Sequence, residues 1–549
     1  KPNIVFILTD DQDLHLNSLD HMQVLQEQLV NQGTYFSKHY AHVTQCCPSR
    51  ASLWAGRHAH NTNITDVTNS KPGGGWKHVQ ANGLATKGIP VWMQAAGYNT
   101  YYAGKLYNGM DDTNYCDPVC PAGWTKSDFL TEPRTYTYYN SAFQHNEGNN
   151  HYKPEIVDGY ATDHIANYTL GYIDDAVDAG KPFFTVAATV APHVSIGVNY
   201  TTNLTWCGKS VENCHKTKFP FAVPKKEYEG LFKNVSIPRN PNFNPHNRTG
   251  VASVWALDQL NQTNVDFMDE FHRQRLRALK SVDDLIETII QKLEARGLLN
   301  NTYIFYSVDN GYHIGQHRLQ PGKLQCFEED INIPFIARAG PNVGRAQSTN
   351  LVSGHIDLAP TFLTLAESEL EPSWELDGQA ISFPLETQTD ITKNKQARGD
   401  HLHAEFWGPF TQEGKFNNAG TNSTNVQIYK ALRIQGDGYN LMYSVWCQNK
   451  AHELYDMSWD QYQLTNLHPD APTEAGQTNA YHRGMNTLLG RPIEQLIHRL
   501  DAVVLVQKSC KTEQCRQPWK QLHPNGTVSN LIDALDEKYD AFYNHSYQV

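Results

Sequence analysis

The sequence predicts an α/β fold: a mostly parallel sheet flanked by helices, followed by a smaller C-terminal α+β portion with an antiparallel sheet. Three observations carry this. Short, almost wholly apolar runs recur far apart in the chain, helical periodicity lies between them, and two-residue alternation takes over near the C-terminus.

The first run is Asn3-Ile4-Val5-Phe6-Ile7-Leu8-Thr9, closed by Asp10-Asp11. With no polar alternation, it reads as a strand buried on both faces, the hallmark of a parallel sheet. Phe183 to Val190 and Thr302 to Val308 read the same way, and polar residues follow each. In open α/β sheets that carboxyl edge is where ligands bind. Between the last two, Leu279, Val282, Leu285, Ile286, Ile289, Ile290 and Leu293 trace one apolar helix face, which Gly297 stops. Residues 200–265, rich in Asn and Pro, read as a long surface excursion. A change of composition near 386–400 sets the expected boundary, giving domains 1–390 and 391–549. Beyond it, Gln427 to Trp446 alternates as antiparallel strands do.

A chain of 549 residues exceeds one ordinary core, so two domains are expected. With 40% hydrophobic and 19% charged residues it has the composition of a soluble globular protein. No apolar run reaches the roughly 18 residues of a membrane span. Lys1-Pro2-Asn3 lead straight into the first strand, so any signal peptide is expected to be already removed. Net charge is −12 and no long basic run occurs. Arg273, Arg275, Arg277 and Lys280 cluster, and read as the solvated face of a helix. Nucleic acid and densely sulfated polymers want a broad positive field, which disfavours them as general partners.

Eleven Asn-x-Ser/Thr sequons, at Asn63, Asn167, Asn199, Asn203, Asn234, Asn247, Asn261, Asn300, Asn422, Asn525 and Asn544, point to a secreted glycoprotein. Ten cysteines fit that compartment. Cys116/Cys120, Cys207/Cys214 and Cys510/Cys515 are spaced for small local disulfides; Cys326 and Cys447 are read as a bridge between the domains and Cys47 as a buried free thiol. No cysteine pair has a well-spaced second pair, which disfavours zinc.

The chemistry centres on Cys46-Cys47-Pro48-Ser49-Arg50, followed by Ala55-Gly56-Arg57. Pro48 suits the first turn of a helix, placing residue 46 at its N-terminus, where free N–H groups favour an anion. A Cys with Pro two residues on and Arg four residues on resembles the signature of the type I, formylglycine-dependent sulfatases. Only Cys46 fits, since Cys47 has Ser49 two positions on. Gly97 to Lys105, ending in Gly104-Lys105, resembles the second signature. The run from Asp309-Asn310-Gly311 through Lys323 to Ile333-Pro334-Phe335 is similar to fungal arylsulfatases and to the N-acetylglucosamine-6-sulfatase branch. Glu453-Leu454-Tyr455-Asp456 with Asn466-Leu467 resembles the C-terminal subdomain of sulfatases.

The resemblance implies an alkaline-phosphatase-like fold and a nucleophile, formylglycine, made from Cys46 by a separate generating enzyme. Asp10, Asp11, Asp309 and Asn310 are hard oxygen donors suited to Ca²⁺ or Mg²⁺. The family holds one divalent ion there, usually calcium, together with residue 46. It gives Arg50 the task of steadying the hydrated aldehyde. Lys105 contacts the nucleophile or a sulfate oxygen, His193 of Ala191-Pro192-His193 binds the ester or sulfate, and Lys323 protonates the leaving group or binds sulfate. His313 is read as lining the substrate side. Many relatives carry His two residues after the signature Lys; here that residue is Tyr107. Three carboxylates balance three cations, so a divalent ion would leave about +2, suited to a small monoanionic sulfate ester.

The expected activity is hydrolysis of sulfate monoesters, aryl sulfates first. Alternatives are an N-acetylglucosamine-6-sulfatase-like hydrolase of sulfated sugars, which shares every catalytic residue, and an unmodified, non-catalytic binding glycoprotein. A related phosphatase would use Ser or Thr with His-containing zinc sites, and neither is evident.

Overall fold

Every residue of strand β1 (Asn3–Thr9) is buried, and its side chains alternate between two cores. Ile4, Phe6 and Leu8 belong to one hydrophobic cluster, Val5 and Ile7 to the other. The sequence therefore commits β1 to the middle of a sheet covered on both faces. The computed structural model describes residues 1–148, 150–196, 204–206, 215–217, 221–339, 348–368, 375–385, 387–409, 413–414, 426–447 and 450–544.

In chain order the elements that place the site are β2 (Thr34–Phe36), α1 (Cys46–Ala55), β3 (Asn99–Gly104), β4 (Lys126–Leu130), β5 (Ala142–Glu147), α2 (Ala161–Asp178), β6 (Phe183–Ala188), α3 (Gln262–Ala295), β7 (Thr302–Val308) and β8 (Phe335–Arg338). The sheet runs Ser348–Thr349, β2, β8, β7, β1, β6, β3, β4, β5 and Asn150–His151, with Glu155–Ile156 also on β5. The central five strands, β7-β1-β6-β3-β4, are parallel. Antiparallel pairs occupy the flanks. Register aligns the carboxyl ends: Thr9 lies opposite Val308, and Leu8 and Gly104 both pair with Ala188. The residues after these strands must therefore share one edge.

Helices α2 and α3 cover the face carrying Val5 and Ile7, while α1 and the helix Leu358–Leu365 cover the other. α3 begins earlier than the sequence reading placed it. Asn261 caps it, its side chain accepting from the Asn264 N–H at 3.0 Å. Its apolar stripe extends back through Phe271 and Phe267 to that cap. β6 ends at Ala188, two residues short of the expected run.

The C-terminal portion contains the antiparallel sheet β9 (His401–Pro409), β10 (Val426–Gly436), β11 (Tyr439–Trp446) and β12 (Ala451–Asp456), in that order. Leu432, Leu441 and Tyr443 of one face pack on Leu496, Leu500 and Val503 of α4 (Ile493–Gln507). Phe406, Tyr429 and Trp446 of the other pack towards Tyr40 and Phe327.

Three expectations are corrected. Residues 221–260 are largely irregular, yet Ala222, Ile237, Val251, Val254 and Leu257 are buried, so this stretch is a packed cover rather than a surface excursion. Arg275 and Arg277 are buried, and only Arg273 and Lys280 of that cluster keep partial exposure. Cys326 and Cys447 are both free: the Cys326 thiol is buried beside Glu453, whereas Cys447 is exposed just past β11. The Cys116–Cys120 and Cys510–Cys515 disulfides form, and Cys47 is a buried thiol. Cys207 and Cys214 lie outside the described residues.

Candidate active site

The carboxyl edge of the sheet gathers the residues singled out from the sequence. Asp10 and Asp11 follow β1, Asp309 and Asn310 follow β7, Lys105 follows β3, and His193 follows β6 by five residues. Gly104 makes the Lys105 corner possible. Its φ is +113°, and a Cβ there would lie 1.9 Å from the Ala188 carbonyl oxygen. α1 starts at Cys46 with Pro48 in its first turn, aiming residue 46 at the same edge. Ser49 Oγ donates to the Asp309 carbonyl at 2.5 Å, pinning that helix to the end of β7.

Cys46 Sγ is 3.6 Å from Asp10 Oδ1, 4.0 Å from Asp11 Oδ1 and 2.9 Å from Lys323 Nζ. Lys323 also donates to Asp11 Oδ1, and Lys105 to Asp10 Oδ2. Arg50 Nε donates to Asp309 Oδ2 at 2.9 Å, and its Nη2 is 3.5 Å from Asp10 Oδ2. Asp309 Oδ1 in turn accepts from the Asp11 N–H at 3.1 Å. His193 Nε2 approaches Asp11 Oδ2 at 3.5 Å. All of these side chains are buried.

Burial by itself would raise the carboxyls of Asp10 and Asp11. Lys105 beside the first and Lys323 beside the second, with His193 near both, overturn that and hold both below the usual carboxylate range. Burial instead dominates at Cys46, pushing its thiol well up despite Lys105 and Lys323. A protonated thiol is a poor nucleophile.

The donor set fits a hard divalent cation. Asp11 Oδ2 and Asn310 Oδ1 are buried without a hydrogen-bond partner, and the Asn310 amide is turned by its Nδ2, which donates to Asp11 Oδ1 at 2.8 Å. Ligand atoms of Asp10, Asp11, Cys46 and His193 lie within 4.8 Å of one another. Three carboxylates with an orphaned amide oxygen are a preference for Ca²⁺ or Mg²⁺ over softer ions.

Two predicted positions behave differently. His313 is buried, with Nδ1 2.7 Å from Asp330 Oδ1, and its backbone pairs with Gly322, next to Lys323. It braces the Lys323 turn. Tyr107 stacks on Trp76 in the core, so that position offers no base to the site.

Three residues escaped the sequence reading. Tyr136 stacks on the His193 ring at 4.2 Å, and Lys105 Nζ lies 4.6 Å above its centre. Arg275 donates to the Asp11 carbonyl, reaches the Pro192 carbonyl at 3.4 Å and lies 4.0 Å over the Tyr312 ring. It thereby ties three active-site loops together. Its spacing from Phe271 and Leu279 put it on the buried stripe of α3, a signal hidden by the charged residues around it. Glu413, between β9 and β10, approaches Lys323 and His193; no motif marks it.

Comparison with known proteins agrees with this geometry. The sulfatase family model matches residues 2–368. An arylsulfatase of Volvox carteri is 34% identical, over 99% of this chain and 80% of its own. The N-acetylglucosamine-6-sulfatase of Homo sapiens is 29% identical, over 94% of this chain and 86% of its own. A structure solved in complex with its substrate D-glucosamine-2-N,6-O-disulfate shares the fold, with a TM-score of 0.63 at 19% identity, covering 85% of this chain and 93% of that one. A family match that runs through every strand of the main sheet, and relatives aligned nearly end to end, make this chain a member of the sulfatase family, sulfuric ester hydrolases that in general use a metal ion and a formylglycine.

Proposed function

We propose that this protein is a secreted, glycosylated, calcium-dependent sulfatase whose nucleophile is a formylglycine made from Cys46 by a generating enzyme in the host. The observation that carries the reading is the position of Cys46 Sγ, with Asp10 and Asp11 on one side and Lys323 2.9 Å away on the other. Asp10, Asp11, Asp309 and Asn310, with residue 46, would hold one divalent ion, calcium before magnesium. The ion would supply positive charge for the sulfate oxygens; the hydrated aldehyde would supply one hydroxyl to attack sulfur, with the S–O bond to the alcohol breaking, and a second whose ionisation would expel sulfate and restore the aldehyde.

The chain's own residues do the rest. Arg50, fixed by Asp309, steadies residue 46 at the start of α1. Lys105 and His193 share the Tyr136 ring and present their charges or N–H groups to the sulfate. Lys323 holds the proton that the leaving oxygen needs, and His313, oriented by Asp330, keeps its turn in place. In this reading residues 1–390 carry the catalytic groups, while 391–549 buttress them and bring Glu413 to Lys323 and His193.

Secretion is supported by the sequons. All eight sequon asparagines among the described residues are exposed. No described helix is long and apolar enough to cross a membrane. Relatives also include an extracellular sulfatase homologue of Drosophila melanogaster.

The test is the mass of the peptide spanning residue 46, alongside turnover of 4-nitrophenyl sulfate. Natural material should carry the aldehyde and hydrolyse the ester. Cys46→Ser should lose roughly 10³-fold or more in kcat and accumulate a sulfated serine, because it has no second hydroxyl to release the sulfate. An unmodified thiol in natural, inactive protein would favour the binding-glycoprotein alternative instead.

A further inference from the structure

Glu413 enters the active site from outside the parallel-sheet scaffold, on the connection between β9 and β10. Two backbone bonds fix it there: the N–H groups of Glu413 and Gly414 both donate to the Pro321 carbonyl at 3.0 Å, two residues before Lys323. The contact requires glycine at 414. A Cβ there would lie 2.6 Å from Pro321 Cβ and 2.8 Å from Phe271 Cε2. Glu413 Oε1 is 3.4 Å from Lys323 Nζ and 4.0 Å from His193 Nε2. Its other oxygen, Oε2, is buried with no hydrogen-bond partner.

Lys323 already meets Asp11 and Cys46 on its inner side. Glu413 is thus the further carboxylate near Lys323, the residue assigned above to the leaving oxygen. We propose that Glu413 selects the leaving group: sulfate esters of sugars bearing an O–H or N–H donor beside the ester, as in an amino-sugar 6-sulfate. A carboxylate only accepts hydrogen bonds, and burying an unpaired oxygen is costly until a donor meets it. It also repels an alcohol carrying a carboxylate or a second sulfate. This deepens the sulfatase reading and rests on it.

The experiment compares kcat/KM of the formylglycine-bearing enzyme and its Glu413→Gln variant on three esters. Glucosamine 6-sulfate offers donors, 4-nitrophenyl sulfate offers none, and 4-carboxyphenyl sulfate offers an anion. Loss of the charge should lower the sugar-to-nitrophenyl ratio by about tenfold and raise the carboxyphenyl-to-nitrophenyl ratio by about fivefold. Gly414→Val, which pushes the carboxylate off Pro321, should shift both ratios the same way, with melting curves confirming that both variants fold. Equal losses on all three esters would overturn the proposal and leave Glu413 as a prop for Lys323. A wild-type enzyme inert towards every sulfate ester would bring down the underlying sulfatase reading and this proposal with it.

Discussion

At the carboxyl edge of the parallel sheet, Asp10 and Asp11 are fully buried beside lysines. In the C-terminal sheet and its helix, Glu453 and Asp501 are buried nearly as deeply beside neutral donors. Glu453 accepts from Ser444 Oγ at 2.9 Å, Trp446 Nε1 at 2.7 Å and Tyr455 Oη at 2.7 Å; Asp501 accepts from Tyr443 Oη at 2.6 Å. Desolvation pushes all four carboxyls up. Lysines and His193 reverse that at the first pair, while hydroxyls and an indole N–H do not at the second. Glu405, in the same sheet as Glu453, shows that the neighbours decide the outcome. With His403, His60 and Lys430 against its oxygens it is held well below the usual carboxylate range despite its burial. A buried acid held down by cations is prepared to bind charge; one that burial pushes up, with only hydroxyls and an indole N–H for partners, is part of the packing.

The widest separation between the regions should come from neutralising one acid in each. Asp11→Asn removes a proposed cation ligand and leaves Lys323 without its anion, so activity on 4-nitrophenyl sulfate should fall on the order of 10³-fold. Glu453→Gln keeps an amide oxygen to accept from its neighbours and removes the titrating group. It should cost about 1 kcal/mol of stability and alter kcat less than about twofold. Comparable losses of activity in the two variants would erase the distinction.

A smaller effect should follow from Arg275→Met, which touches none of the expected ligands by side chain but holds the Asp11 carbonyl and the loop before His193. Support of this kind is worth about 10- to 100-fold in metal affinity or activity. The calcium concentration for half-maximal activity should rise by that order, and the melting temperature should fall as well, because buried Asp13, 3.4 Å from Arg275 Nη2, loses its partner. A variant that melts much earlier yet keeps its calcium dependence would make Arg275 a core residue only.

What the sequence disclosed follows the same physics. Strands covered on both faces must be apolar throughout, so the polar residues ending them stand out. Asp10 and Asp309 were legible for that reason, Lys105 through the second signature that ends in Gly104-Lys105, and the spacing of Pro48 and Arg50 from Cys46 completed the site. Arg275 was not, because a charge on the apolar stripe of α3 looks like one more solvated residue among Arg273, Arg277 and Lys280. Glu413 was beyond reach: its role depends on two backbone bonds to Pro321, almost a hundred positions away in sequence. The Asn and Pro content of 200–265 suggested a surface excursion but said nothing of burial, since a few residues such as Ile237 and Val254 suffice to anchor the described part, 221–260.

Asp501 offers the finest test of the comparison, because its protonation should be readable as stability. Burial raises its carboxyl to about 7, against about 3.9 in an unfolded chain. Between those values the folded protein keeps a proton that the unfolded chain has lost. Stability must therefore fall as pH rises from about 4 to 7, and the penalty is complete above that window. Three units correspond to about 4 kcal/mol at most, and relaxation around the group leaves roughly 1–3 kcal/mol to be observed. Asp501→Asn keeps an acceptor for Tyr443 Oη and removes the titration. Its melting temperature should match the wild type near pH 4.5 and exceed it by several degrees at pH 8. Parallel melting curves across that range would mean that Asp501 is ionised in the fold, and the contrast with Asp10 and Asp11 would collapse to one of position alone.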